Sequence, residues 1–526
     1  MQISPLHSHI ITSILDNFTT IPASKTNTTN KLVSIKNTIL YLKINVLEMK
    51  KIRAHYLLIA AIALTFSSEA SARIIKGKVS CEKKNLSGVI VTDGKNFTQT
   101  RKTGRFRMDI SDSCKFVYII TPDGYSGDWS DGAPKFYQRA DGKEYFSFKL
   151  VKTGDTSKGY NIIAVGDPQP NTEKQAEEFA GTPLDDICTT ADELENPIVG
   201  LVLGDVCFDK MELMQNWKKS IVRTGFPFYA VPGNHDYIYE LRYNDTLALS
   251  AYEDNFGPAN YAVQVGSDLI IMLDNIIYSR ENNPTKKKYY EGYTEEVLEW
   301  IKGLLEFIPI DTHIYIAQHS PVTGRISDDG YIYNGQTLIN MLKDRKVCFI
   351  SGHNHLNDNY QYSPNIIEHN VAAISGTWWD AYHCKDGTPR GYKVYTKTGN
   401  GLTWYYKSIG KDKNFQFEIF MPGECVINTD CIVINLWDYD EGWSVEWIED
   451  DKSMGAMSQV YELNPMHTKE IESTFESRNM PTPGWKTTIK GEHYFAAKPS
   501  DQASQVTLIV KNRFGQTWKE CIKLKK

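Results

Sequence analysis

None of the nine cysteines in this 526-residue chain stands in a C-x-x-C spacing, so the sequence offers no thiolate metal cage. Basic charge is scarce as well. Lys and Arg number 58 against 64 Asp and Glu, for a net charge of −6, and non-specific nucleic-acid binding rests on basic surface. The apolar run at residues 56–66 falls short of the roughly 20 residues a membrane-spanning helix needs.

That run has another reading. Residues 1–48 are polar and rich in Asn, Thr and Ser. Met49 then opens a signal-peptide pattern: Lys50, Lys51 and Arg53, the apolar run, and Ala70-Ser71-Ala72 as a small-residue cleavage site. The expectation is that the natural start is Met49 and that 1–48 is not part of the natural protein. Residues 49–72 are then a cleaved leader, and the mature chain is periplasmic or secreted with no transmembrane segment. No Cys stands at the cleavage point to take a lipid anchor. Residues 1–72 hold seven Lys/Arg and three Asp/Glu, which leaves the mature chain near −10. In an oxidising compartment Cys81 could pair with Cys114, and Cys425 with Cys431; the alternative is buried free thiols.

What the chain does have is five short blocks of metal-capable side chains, each just past an apolar, strand-like run. They are Gly166-Asp167-Pro168-Gln169, Gly204-Asp205, Gly233-Asn234-His235-Asp236, Gln318-His319-Ser320-Pro321 and Gly352-His353-Asn354-His355. The preceding runs are residues 161–165, 198–203, 226–231, 313–317 and 347–350. Any one block alone reads as a turn or a helix cap. Five in order read differently, because open α/β sheets bind ligands in the crevice beyond the carboxyl ends of their strands. Distant segments then deliver single ligands to one place. The glycines ahead of four of these blocks suit a sharp turn at the strand end. Asp, Asn, Gln and His together suit Mn, Fe, Zn or Mg.

These blocks resemble the calcineurin-like metallophosphoesterases, whose pattern is D-x-H, GD, GNH[DE], a His after a strand, and GHxH. The resemblance implies two divalent metals and a phosphate-ester substrate. The first metal would be held by Asp167, Gln169, Asp205 and His355. The second would be held by Asp205, Asn234, His319 and His353, with Asp205 bridging. Gln169 departs from the family's usual His, which implies a weaker, harder first site. His235 matches the family residue that protonates the leaving oxygen or steadies the phosphate. Asp236 and Asp209 are both candidates for the carboxylate that keeps it charged, and the sequence does not choose between them.

Around the blocks the pattern is α/β, from about 156 to 398, with helical stretches at 294–307 and 336–342 and a further strand at 269–273. Residues 73–155 read as short strands with Gly and Asp turns, a small β-sandwich, and residues 399–526 return to β. This order resembles an exported branch of the family. It implies a four-layer metallophosphoesterase-type sandwich between a small N-terminal β-sandwich and a C-terminal β domain. Substrate contacts are expected from Arg325 and Arg390, as phosphate clamps, and from Trp378 and Trp379, either as a stacking platform or as a core plug at the domain join.

The expected function is an exported metal-dependent phosphohydrolase that cleaves a phosphomonoester or phosphodiester with a metal-activated water. Two alternatives stand beside it. One is a non-catalytic protein on this fold holding a glycan or cell surface through its β modules. The other is a 5′-nucleotidase-like enzyme, for which no nucleoside-binding domain is evident.

Overall fold

This computed structural model describes residues 72–279, 289–323 and 330–524. The expected leader up to residue 71, the Lys286-Lys287-Lys288 run and Arg325 lie outside them.

Two sheets carry the site. In chain order the strands of the first half are β1 Gly159–Val165, β2 Ile198–Val202, β3 Phe228–Ala230, β4 Tyr261–Val265 and β5 Asp268–Leu273. Those of the second half are β6 Ile314–Gln318, β7 Val347–Ser351, β8 Asp358–Ser363, β9 Ile366–Asn370, β10 Gly391–Thr398 and β11 Gly401–Ser408. The first sheet runs β3-β2-β1-β10-β11 and the second β4-β5-β6-β7-β9-β8. Strands β1, β2 and β3 are mutually parallel, as are β5, β6, β7 and β9.

Both faces of the first sheet are buried, which is why its strands read as unbroken apolar runs. Ile162, Ala164, Leu201 and Leu203 share one core with Ile270, Ile316 and Phe349 of the second sheet. Ile163, Val165 and Val202 point the other way. They pack under helices α1 Glu173–Ala180, α2 Thr182–Asp192 and α3 Met214–Ile221, through Phe179, Ile187 and Trp217. Helices α4 Glu295–Leu305 and α5 Gly335–Leu342 cover the second sheet. Helix α4 starts where Thr294 accepts the Val297 N–H, and Leu298, Ile301 and Leu304 form its buried stripe. The layers are therefore helix, sheet, sheet, helix.

Ahead of this core, strand Ala72–Cys81 pairs antiparallel with Arg105–Ser111 and parallel with Tyr145–Lys152. A second, four-stranded sheet completes the N-terminal module. It packs on the catalytic layers through Phe136, stacked on Tyr261 at 4.3 Å, and Phe97, 6.4 Å from Trp300. After the core come two four-stranded sheets around Ile432, Ile434, Trp447 and Leu508, with one helix, α6 Pro465–Ser477. A fully buried ion pair, Lys393 to Asp438 at 2.8 Å, ties this domain to β10.

Two points go beyond the sequence reading. The catalytic sheet does not end at 398. A hairpin turns β10 back into β11, so the sheet runs to Ser408, since an alternating strand after a Gly turn has the same local pattern in either domain. All nine cysteines are free thiols, so neither Cys81–Cys114 nor Cys425–Cys431 is bonded.

Candidate metal centre

The five blocks meet at one end of the two sheets, on the loops after β1, β2, β3, β6 and β7. Their backbones are unusual. Among the described residues fourteen non-glycine residues have positive φ, and eight belong to this neighbourhood: Asp167, Gln169, Asp205, Asp209, His353, His355, Trp378 and Trp379. Such conformations cost energy and persist where surrounding structure enforces them, typically at functional sites.

The glycines serve closeness more than turning. Of the four block glycines, only Gly204 has a positive φ, at 84°. A Cβ on Gly233 would sit 2.2 Å from the Asp205 amide, and one on Gly352 would sit 2.5 Å from the Asp167 carboxylate. Bare backbone lets neighbouring loops touch there.

Lone pairs converge here. His319 Nδ1 donates to the Leu203 carbonyl at 2.8 Å, which leaves Nε2 as the basic nitrogen. That nitrogen lies 3.0 Å from Asn234 Oδ1, 3.0 Å from His353 Nδ1 and 3.5 Å from Asp205 Oδ1. Burial holds His319 down at about 4, so its Nε2 carries no proton at neutral pH. His355 repeats the arrangement. Its Nδ1 faces the Gly376 carbonyl at 3.3 Å and its Nε2 lies 3.6 Å from Asp167 Oδ1, while burial lowers its pKa to about 3. The Asp167 carboxyl is pushed well above the usual range by its burial and by the charge of Asp205.

Gln169 completes the set. Its amide nitrogen donates to Asp205 Oδ2, and its buried Oε1 has no hydrogen-bond partner. A buried amide oxygen left bare costs about 1–3 kcal/mol. Bare imidazole nitrogens, carboxylates and this orphaned oxygen are the environment a divalent cation satisfies, so the residues present fit the two metals the pattern implies. Ligand atoms of Asp167, Asp205 and His319 lie within 4.8 Å of one another.

His235 stands beside this cluster. Its Nδ1 lies 2.9 Å from Asp209 Oδ1, its ring stacks on Phe208 at 3.9 Å, and its Nε2 has no protein partner among the described residues. Burial pulls its pKa down, but the charges of Asp205 and Asp209 outweigh it and the net shift is upward. The choice left open by the sequence therefore falls to Asp209. Asp236 is corrected from a catalytic candidate to a loop lock. It is fully buried and accepts the N–H groups of Val206, Cys207 and Gly233, fastening the second block to the third. Burial and Asp205 raise its carboxyl to about 7.

Other side chains here were not evident from sequence. Arg242 binds Asp209 and the Asn234 carbonyl, the latter at 2.9 Å, and stacks on Tyr278 at 5.0 Å. Glu291 stands 3.7 Å from His353 Nε2. A lone Arg or Glu in a polar loop carries no local pattern that would single it out.

The expected substrate contacts divide. Trp378 stacks on His355 with ring centroids 4.2 Å apart, and Trp379 donates its indole N–H to the Pro168 carbonyl at 2.9 Å. Both therefore brace the first metal position. Arg390 pairs with Glu178 at 3.1 Å and lies over the Trp379 and Tyr382 rings. Among the described residues none of its contacts is a metal-block residue.

Family models match residues 73–153 (N terminal of calcineurin-like phosphoesterase), 160–357 (calcineurin-like phosphoesterase) and 368–518 (C terminal of calcineurin-like phosphoesterase). No curated protein matches the chain. Among solved structures it is similar to a dimetal phosphatase from Danio rerio, at 15% identity and TM-score 0.34, covering 48% of this chain and 99% of that one. It is also similar to a 5′-nucleotidase from Candida albicans SC5314, at 11% identity and TM-score 0.31, covering 49% and 54%.

Proposed function

This chain belongs to the calcineurin-like phosphoesterases, a family of phosphate-ester hydrolases, and we propose that it is an exported phosphohydrolase using two divalent cations. The observation that carries the reading is the buried meeting of unprotonated imidazole nitrogens with carboxylates, His319 Nε2 3.5 Å from Asp205 and His355 Nε2 3.6 Å from Asp167. Export rests on the leader-like pattern of residues 49–72.

The first cation would be held by Asp167, Gln169, Asp205 and His355, the second by Asp205, Asn234, His319 and His353. When bound, the pair supplies charge neutralisation for the phosphoryl oxygens and acidifies water at neutral pH. The remaining work falls to this chain's own groups. Asp209, fixed by Arg242, orients His235 and favours its imidazolium. The free Nε2–H then stands ready to donate to a phosphoryl oxygen or to the departing alcohol. Phosphoryl transfer asks for little beyond such positioning and charge.

The metal-stripped chain, supplied with Mn, should hydrolyse nitrophenyl phosphate or bis-nitrophenyl phosphate. Comparing the two esters tells a monoesterase from a diesterase. Hydrolysis of neither would favour a binding protein, and a preference for nucleoside monophosphates over both would favour the nucleotidase.

A further inference from the structure

We propose that residues 375–388 form a strap through which the C-terminal domain sets the affinity of the first metal position, and that Glu470 and Asp380 are the positioning residues that tension it. This rests on the two-metal reading above.

On one side the strap touches that metal position at four points. Ser375 Oγ donates to the Asp167 carbonyl at 2.8 Å, and the Gly376 carbonyl faces His355 Nδ1 at 3.3 Å. Trp378 stacks on the His355 ring with an interplanar angle of 25°, and Trp379 bonds the Pro168 carbonyl between Asp167 and Gln169. The Gly376 contact fixes the His355 tautomer and aims Nε2 at Asp167, the kind of outer partner on which metal affinity depends.

On the other side the strap is held by charged and aromatic groups of the C-terminal domain. Glu470, on α6, accepts both the His383 N–H at 3.0 Å and its Nδ1 at 2.9 Å. Asp380 is gripped by Arg478 at 2.7 Å and by Lys486. Trp485 meets Trp378 edge-on at 4.8 Å, so one indole carries the contact from the C-terminal domain to a metal ligand. The Lys486–Asp380 pair is buried on both sides, each side chain 10% exposed, and His383 is buried under a partly exposed Glu470.

Among the described residues the second position has no such tether. His319 is oriented by the Leu203 carbonyl, and the Asn234 backbone by Arg242 and Tyr278, all within the catalytic layers. The influence of the C-terminal domain should therefore be selective for one of two ions.

Calorimetric titration of the metal-stripped full chain with Mn tests this without reference to activity. Glu470→Gln and Asp380→Asn should each weaken one ion class about tenfold, the scale of a lost outer partner. The class affected should be the one that His355→Ala removes, while the other keeps its affinity. Arg513→Gln is the control. It loosens the same domain interface at Trp404, away from the strap, and should leave both classes unchanged. The proposal is overturned if the strap variants leave both affinities intact, or weaken both equally and no more than Arg513→Gln does. A wild-type chain that bound fewer than two ions would instead overturn the metal reading itself.

Discussion

Asp209 Oδ1 accepts from His235 Nδ1 at 2.9 Å and from the Arg242 guanidinium at once. One carboxylate oxygen thus joins the proposed acid to a permanent cation anchored on the Asn234 carbonyl. The arrangement gives the imidazole a fixed tautomer and a fixed direction.

Removing the imidazole should separate chemistry from metal binding. His235→Ala should lower kcat by roughly 10²–10⁴-fold, the usual worth of a positioned acid, with metal content unchanged by elemental analysis. Esters of good leaving groups should suffer least because they need little protonation. Loss of metal from this variant would show that His235 is a ligand instead.

The two nearby aspartates should respond differently. Asp209→Asn should reduce kcat while leaving thermal stability close to wild type. Asp236→Ala should destabilise by several kcal/mol, since three buried N–H groups lose their acceptor at about 1–3 kcal/mol each. Chemical denaturation beside steady-state kinetics reads both, and the reverse pattern would exchange their roles.

Gln169 is the departure from the family pattern, and its orphaned oxygen predicts a metal effect. Gln169→His should tighten the first position, with Zn gaining more than Mn by ligand softness. Its left-handed backbone, φ 46°, is one that His tolerates better than most residues. Titration of the stripped variant with each ion is decisive, and unchanged affinity for both would place Gln169 outside the ligand set.

The strap carries a pH signature in stability. Burial opposes the charge on His383, but Glu418 and Glu470 raise its pKa to about 9, above the ordinary value near 6.5. Its stabilising contribution is therefore complete below about 6.5 and is lost as pH climbs through about 9. Melting temperature should fall across that window in the wild type and fall less in His383→Gln. Parallel curves for the two proteins would show that His383 is neutral throughout.

The convergence of the five blocks was legible in the sequence for a physical reason. Each block follows an apolar strand within a few residues, and the parallel strands of two sheets bring these ends to one rim. Contacts made across the fold were not legible. Nothing local distinguishes Asp209 from Asp236, because one faces an imidazole and the other faces three amides only after the loops assemble. The two tryptophans left a choice between platform and plug, and the structure shows them bracing His355 and Pro168. The hairpin that adds β11 to the catalytic sheet, and the grip of Glu470 on His383 across 87 residues, likewise exist only in the folded chain.

The central claim is that seven side chains hold two ions bridged by Asp205, and that both ions are needed for hydrolysis. The most direct measurement is a stepwise Mn titration of the stripped chain, following bound metal and nitrophenyl ester hydrolysis together, in wild type and Asp205→Asn. The account predicts two ions per wild-type chain, activity that rises only as the second binds, and a variant that loses metal and falls by orders of magnitude in rate. Full activity with one ion bound, or an Asp205→Asn protein that turns over near the wild-type rate, would contradict it.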